Sequence, residues 1–238
     1  MTETKALNWG QHWTHWLRWK TTVKSDPNVW KRTFPTIADE IAELNSRQRI
    51  ASQFVTAHEL FTAENLSAMT TEAAAALRSA TGFIHNGKWN APVDSAALDF
   101  IDRVGLATLV SELAGVEVEE PQGATYIGYF EPGQFLDFHV DDFSYGEVNL
   151  IICLSHTGDG LSEHPSSTVF IERDGYRLCN LHAGDYLLFD GAFTPHGRTP
   201  VAAGEEVVLV SFSFKSRNRA LWDVAGAPPA PADTPLPV

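Results

Sequence analysis

The sequence predicts an α+β protein in which an N-terminal helical region, residues 1–120, packs against a jelly-roll core of antiparallel strands, residues 121–222. Hydrophobic residues recur at helical spacing in the first part, whereas short β-branched and aromatic runs separated by Gly, Asp and Pro fill the second. The chain of 238 residues, 44% hydrophobic and 20% charged, has the composition of a globular protein with a sizeable core. Residues 223–238 are almost all Ala and Pro, and we expect them to be disordered.

The N-terminal region is predicted to be helical throughout. Four early tryptophans are spaced by three or four residues, as on one face of a helix: Trp9, Trp13, Trp16 and Trp19. Such an aromatic stripe more often packs than binds a ligand. From residue 35 to about 115 the hydrophobic spacing stays helical, with an Ala-rich segment at 68–80 and an amphipathic one at 94–114. We expect no catalytic residue in this half.

The pattern changes at about residue 123. Seven runs from there have the residue types of strands: 124–130, 135–139, 148–154, 168–172, 177–181, 186–189 and 206–214. Residues 173–176 carry the turn residues of a hairpin. Seven or eight short antiparallel strands at this spacing fit a sandwich or jelly roll. The polar segment 155–167 is predicted to be a loop, either a lid over a site or a solvated insertion.

The charge is unevenly distributed. The formal net charge is −13, and residues 104–172 contain twelve Asp and Glu but no Lys or Arg. This balance argues against nucleic acid or an anionic membrane as a partner, because phosphate binding needs clustered basic residues. A cationic or zwitterionic partner is compatible with it, as is the alternative that the acidic surface only keeps the protein soluble.

The sequence also bears on the compartment. No apolar run approaches the roughly 18 residues of a membrane span, and the N-terminus lacks the cationic and then apolar build of a signal peptide. The two cysteines, Cys153 and Cys179, lie in strand-like runs, which disfavours a disulfide framework. We therefore expect a cytoplasmic protein with reduced thiols.

The chemistry-bearing segment, residues 133–141, ends in a His-x-Asp pair. On a strand, residues two apart share a face, so His139 and Asp141 can bind one ion. A lone pair of this kind is common by chance, but His196, in the segment 195–204, is a third candidate at a plausible distance. Two imidazoles and one carboxylate with open positions opposite form the facial triad of non-heme Fe(II) oxygenases. His139, Asp141 and His196 are thus the predicted metal ligands.

Together these segments resemble the Fe(II)/2-oxoglutarate-dependent dioxygenase superfamily, and most closely its prolyl-hydroxylase-like branch. The residues that match the family motifs are Tyr129, Pro132, Gly133, Leu136, His139, Asp141, Gly184, Asp185, Phe189, His196, Pro200, Val201 and Gly204. The resemblance covers roughly residues 123–215 and implies a double-stranded β-helix, the jelly roll of this superfamily. It also implies Fe(II), 2-oxoglutarate as co-substrate and O2, with release of succinate and CO2. Because Asp141 is present, the resemblance implies hydroxylation, desaturation or cyclisation rather than halogenation.

The sequence departs from the family at one residue. The arginine that holds the distal carboxylate of 2-oxoglutarate should follow the second histidine by ten residues, and Glu206 stands there. Arg198 is the predicted substitute, because it follows His196 by two residues on the same strand face and its planar fork suits a carboxylate. Alternatively, Arg198 pairs with Glu206 across the hairpin. Arg217 and Arg219 are weaker candidates.

Other residues complete the predicted site. Tyr129 matches a family tyrosine that contacts the co-substrate, and Asn149 can hydrogen-bond either the co-substrate or the backbone. Asp142 and Trp222 are the candidate substrate contacts. The histidines of the 155–167 segment and the one before the Ala-Gly-Asp turn are predicted to be loop residues rather than ligands: His156, His164 and His182.

The predicted function is a dioxygenase that acts on a small, amine-bearing molecule such as an amino acid. Two alternatives stay open at this point. One is a non-catalytic or 2-oxoglutarate-independent metal-binding β-helix protein, which the Glu206 departure favours. The other is a hydroxylase of protein or carrier-bound residues, which an extended groove would favour. The sequence does not fix the oligomeric state.

Overall fold

The computed structural model describes residues 42, 44–172, 175–218, 220 and 222. The predicted tryptophan helix, the Ala/Pro tail and the centre of the 173–176 turn lie outside these residues. The α-helices of the described part are α1 Ala63–Leu77, α2 Ser95–Val104 and α3 Leu106–Ala114. Its strands are β1 Gln53–Val55, β2 Phe83–His85, β3 Lys88–Pro92, β4 Gly123–Tyr129, β5 Leu136–His139, β6 Val148–Thr157, β7 Thr168–Glu172, β8 Gly175–Cys179, β9 Tyr186–Asp190, β10 His196–Arg198 and β11 Glu206–Phe214.

The strands form two antiparallel sheets. The larger sheet has seven strands in the order β1-β9-β6-β11-β4-β3-β2, and the smaller has four in the order β5-β10-β7-β8. Several neighbouring strands are far apart in sequence, as in β6 against β11 and β5 against β10, which is the topology of a jelly roll. The predicted jelly-roll core is confirmed. Among the described residues, no helix is long and apolar enough to cross a membrane.

Alternating side chains of the larger sheet enter two different cores. On β6, Ile151 and Cys153 face the smaller sheet, where they pack with Phe170 of β7. Leu150 and Ile152 belong instead to the core that contains the buried residues of the helices. Because both faces of this sheet are covered, its strands read as continuous apolar runs rather than alternating ones. The site described below lies between the two sheets.

The prediction of continuous helix from residue 35 to 115 is wrong at three places, where β1, β2 and β3 form. The β2–β3 hairpin turns at Asn86 and Gly87, both with positive φ, of 52° and 76°. Asn-Gly is the preferred pair for a two-residue hairpin turn, because both residues tolerate this conformation. The Asn-Gly pair is thus a local signal of this hairpin in the sequence.

A buried carboxylate, Asp190, closes β9. It accepts hydrogen bonds from the backbone N–H of Arg49 at 2.9 Å, the indole N–H of Trp222 at 2.9 Å and the N–H of Phe193 at 3.2 Å. Burial nevertheless raises the pKa of Asp190 to about 6, because the desolvation cost exceeds the effect of these donors. The folded protein therefore holds a proton that the unfolded chain, at pKa 3.8, has already released.

We expect this mismatch to make stability fall as pH rises. Between pH 4 and pH 6 the folded state binds more protons, so the free energy of unfolding decreases with pH, by on the order of 3 kcal/mol for this group. Asp190→Asn carries no titrating group at this position, so its stability should not show this loss. Compared with the native protein, the variant should therefore gain about that amount of unfolding free energy when the pH is raised from 4 to 7. Urea unfolding at both pH values measures it. Asp99→Asn, at an exposed position on α2, is the control; an identical pH dependence in both variants would contradict the assignment.

Candidate metal centre

The three predicted ligands come together between the sheets. β10 pairs with β5 so that His196 lies directly opposite His139, and their ring centroids are 4.2 Å apart. Asp141 follows β5, where its backbone N–H donates to the carbonyl of Gly191 at 2.8 Å. Among the described residues these three are the one group of His, Cys, Asp or Glu side chains close enough to hold a metal ion, with ligand atoms within 4.8 Å of one another.

The protonation of both rings fits metal binding. Nδ1 of His139 is 2.9 Å from the carbonyl oxygen of Asp137, and Nδ1 of His196 is 2.9 Å from that of Thr194. A carbonyl can only accept, so each Nδ1 carries the proton and each Nε2 keeps its lone pair. These lone pairs face Asp141, whose Oδ1 is 3.5 Å from Nε2 of His139 and whose Oδ2 is 3.6 Å from Nε2 of His196.

The charges of the group also suit a divalent cation. Burial and, to a smaller extent, the neighbouring His139 lower the pKa of His196 to about 4, so its imidazole is neutral at pH 7. Burial raises the pKa of Asp141, but the adjacent His196 and His139 outweigh it and the net pKa is below its ordinary value. Two imidazoles and one carboxylate are the donor set of a facial Fe(II) site, so the residues fit that metal.

The residues around Asp141 hold its carboxylate in place. Asn149, on β6, donates from Nδ2 to Oδ2 of Asp141, and its own Oδ1 is buried without a partner among the described residues. Gly191 packs on both: an added Cβ there would lie 2.6 Å from Oδ2 of Asp141 and would also clash with the Asn149 amide. Asn149, predicted to contact the co-substrate, thus has a second task of orienting a metal ligand.

We expect Gly191→Ala to weaken metal binding by about 10- to 100-fold, the usual cost of disturbing a group that orients a ligand. The added methyl group must displace either the Asp141 carboxylate or the Asn149 amide. Fe(II) affinity, measured anaerobically by competition with a chelator, tests this. Gly160→Ala is the matched control, because a Cβ at Gly160 meets nothing within 4 Å. Equal affinities of the two variants would show that Gly191 does not constrain the site.

Arg198 lies two residues after His196 and is 4% exposed. It donates from Nε to Oγ of Ser166 at 2.9 Å, from Nη1 to Oγ1 of Thr168 at 3.2 Å and from Nη2 to the carbonyl of Ser166 at 3.1 Å. A guanidinium has five N–H donors, so two remain. Within the described part of the chain no carboxylate lies within ion-pair distance of Arg198. Burial has the largest effect on the pKa of Arg198 and lowers it, whereas the carboxylate of Glu205 raises this pKa without pairing with the guanidinium directly. A buried cation with no direct ion pair and two free donors suits an anion at this place.

The predicted alternative for Arg198 is wrong. Glu206 pairs instead with Arg78, the residue that follows α1, at 2.9 Å, and both side chains are exposed. The side chain beside Arg198 is instead Tyr129, whose ring centroid is 5.2 Å from the guanidinium carbon. Burial raises the pKa of Tyr129, so its hydroxyl stays protonated and can donate.

Sequence reasoning missed a buried network that fixes Arg198. Glu205 accepts from the backbone N–H of Ser166 at 2.6 Å and pairs with Nε2 of His156 at 2.7 Å. His156 is not a loop residue as predicted, because β6 extends to Thr157 and its side chain is fully buried. The loop interpretation holds for His164 and His182, which lie outside the strands. No periodicity marks Ser166 or Glu205, since their partners are distant in sequence.

The two predicted substrate contacts have structural roles. Asp142 accepts from the backbone N–H of Ser144 at 2.7 Å and caps the turn after the metal ligand. Trp222 is 3% exposed, lies in the helix-side core and donates to Asp190. Neither contact supports the predicted substrate role. The remaining arginine candidate that is described, Arg217, donates to the carbonyl of Val118 at 3.2 Å.

Comparison with known proteins agrees with this arrangement. No protein family and no curated protein matches the sequence significantly. Among solved structures, a prolyl hydroxylase from Trichoplax adhaerens in complex with a hypoxia-inducible-factor peptide is similar with a TM-score of 0.56 and 13% identity, covering 86% of this chain and 100% of that one. A Pseudomonas putida prolyl-4-hydroxylase gives 0.53 and 16%, over 76% and 100% of the two chains. The α-ketoglutarate-dependent epimerase SnoN of nogalamycin biosynthesis gives 0.54 and 16%, over 86% and 96%.

These likenesses agree with the predicted jelly-roll core, a fold that this chain shares with the three enzymes. The His-Asp-His group stands at the centre of that fold in this chain.

Proposed function

We propose that this protein is an Fe(II)- and 2-oxoglutarate-dependent oxygenase. The observation that carries the proposal is a buried arginine with no direct acidic partner among the described residues, two residues after a metal ligand on the same strand. A dicarboxylic keto acid needs such a pair of sites: a metal for its keto-acid end and a cation for its far carboxylate. When bound, Fe(II) and 2-oxoglutarate would supply O2 activation with release of succinate and CO2.

The protein's own groups would bind and orient these reactants. His139, Asp141 and His196 would hold Fe(II) and leave the opposite side open. Arg198 would hold the distal carboxylate with its two remaining N–H donors, and the protonated hydroxyl of Tyr129 would add a third donor. Ser166 and Thr168 keep the guanidinium from rotating, so the anion site is formed before the co-substrate arrives.

The placement of Glu206 bears on the non-catalytic alternative. That alternative arose because a carboxylate replaces the family arginine and would repel 2-oxoglutarate. Since Glu206 lies outside with Arg78, it does not oppose an anion at Arg198. For the substrate we infer a small, amine-bearing molecule such as an amino acid, from the acidic stretch that contains Asp141. A peptide or carrier-bound residue is the second candidate, favoured by the peptide in the Trichoplax adhaerens structure.

An anaerobic titration tests the proposal. The purified protein is loaded with Fe(II) and 2-oxoglutarate is added while the visible spectrum is recorded. We expect the weak charge-transfer band that keto-acid chelation produces, followed by succinate release when O2 is admitted. The function would be excluded if neither the band nor succinate above the protein-free level appeared at saturating co-substrate.

A further inference from the structure

The β2–β3 hairpin brings a lysine to the metal centre from the half of the chain that was predicted to be purely helical. On β3, Trp89 and Ala91 pack into the helix-side core. Alternate residues of a strand face opposite sides, so Lys88 and Asn90 face the inner side of the sheet. Trp89 pairs with Gly128 of β4, and the next step of this register places Lys88 beside Tyr129.

The hairpin is fixed against the strand that carries the first metal ligand. An added Cβ at Gly87 would lie 2.7 Å from the carbonyl oxygen of Phe135, directly before β5. Asn90 is 5% exposed and donates from Nδ2 to the carbonyl of Lys88 at 3.0 Å, which turns its Oδ1 toward the lysine. Lys88 is thus partly buried and held by Asn90 on the inner side of the sheet rather than free in solvent.

The ammonium of Lys88 has donors to spare. It donates to Oδ1 of Asn90 at 2.9 Å, and within the described residues no carboxylate lies within ion-pair distance of it. The charge of Lys88 also acts on the metal ligands. Burial has the largest effect on the pKa values of Asp141 and His196, and the positive charge of Lys88 has a smaller effect that lowers both pKa values. Burial lowers the pKa of Lys88 and Asp141 raises it, as expected of a partly buried cation near that carboxylate.

We propose that Lys88 binds a carboxylate group of the primary substrate beside the metal. The inference rests on the proposed function, and it narrows the substrate to molecules with a free acid group, such as free amino acids. Arg198 already provides the cation for the distal carboxylate of the co-substrate, so a second inward-facing cation calls for a second anion. A peptide-internal residue has no α-carboxylate, which disfavours protein substrates other than those with an acidic side chain.

The experiment compares free amino acids with their primary amides, which keep the amine and lose the acid. L-valine, L-leucine and L-proline and the three amides are titrated into the anaerobic Fe(II)/2-oxoglutarate protein, and the change of the visible band gives each dissociation constant. We expect the acids to bind native protein and Lys88→Arg, and to bind Lys88→Met at least about tenfold more weakly, the cost of one charge-assisted hydrogen bond. The amides should bind native protein about as weakly as the acids bind Lys88→Met.

Several outcomes would overturn the proposal. These are equal affinity of acids and amides, undiminished binding of acids to Lys88→Met, or no binding of any acid at its solubility limit. A loss of 2-oxoglutarate affinity in Lys88→Met with acid binding intact would assign the lysine to the co-substrate instead. If the band never forms in native protein, the proposed function fails first. The acids are then titrated against the protein with Fe(II) alone, with the shift in thermal midpoint as readout, which tests Lys88 independently.

Discussion

Replacing His196 with alanine is expected to abolish Fe(II) binding at micromolar metal and, with it, succinate formation. The imidazole is one of three ligands, and its neutral state at pH 7 is built in by burial. The remaining pair, His139 and Asp141, is the weak two-residue motif that many proteins contain by chance. We expect the loss in affinity to exceed about 100-fold, since even residues that only orient a metal ligand cost 10- to 100-fold.

Thermal unfolding with and without metal separates a lost site from a lost fold. Native protein should be stabilised by Fe(II) under anaerobic conditions, by about 2.7 kcal/mol at a metal concentration 100 times the dissociation constant. His196→Ala should unfold cooperatively but show no such shift. His164→Ala, at an exposed position between β6 and β7, should keep the full shift. A metal-dependent shift in His196→Ala as large as that of native protein would show that the metal binds elsewhere.

The metal site was predictable because its residues leave a local mark. His139 and Asp141 are two residues apart, at the end of β5 and just beyond it, and β5 itself has a clear run of β-forming residues. His196 needed the second motif, because its place opposite His139 is a matter of sheet register, which no local spacing encodes. The strands from β4 to β11 were likewise predicted to within a few residues, except the short β10 and the longer end of β6.

The parts that were missed depend on contacts between distant segments. Ser166 supports Arg198 from 32 positions away, and Glu205 reaches Ser166 across 39. The β2–β3 hairpin had a local signal in Asn86-Gly87, but the helical pattern on either side concealed its short strands. Lys88 therefore went unnoticed, because it lies outside residues 104–172, the stretch without Lys or Arg that contains His139 and Asp141. Charge counted along the chain does not give charge around a site, because the sheet brings a basic residue next to Tyr129.

Arg198→Met is expected to lower 2-oxoglutarate affinity by about 100-fold or more while leaving the unliganded protein as stable as before, or more stable. Removing one partner of a buried ion pair costs about 3 to 5 kcal/mol. Here the removed partner is Arg198, and the bound co-substrate is the partner that is left unpaired. Without co-substrate the same guanidinium is a buried cation whose pKa is lowered by desolvation. An apolar side chain of similar length removes that cost. Affinity and stability should therefore change in opposite directions, a result that a merely structural arginine would not give.

Arg78→Met is the matched control, because Arg78 is exposed and its ion pair with Glu206 lies at the surface. It should leave the affinity for 2-oxoglutarate within a factor of about two. Anaerobic titration of the visible band gives the affinity of each variant, and urea unfolding without co-substrate gives its stability. Metal binding, measured by the Fe(II)-dependent thermal shift, should be intact in both, because Arg198 is not one of the three candidate metal ligands. If Arg198→Met bound 2-oxoglutarate as tightly as native protein, the distal carboxylate would have to be held by another group, and the anion that the buried guanidinium requires would have to come from the substrate.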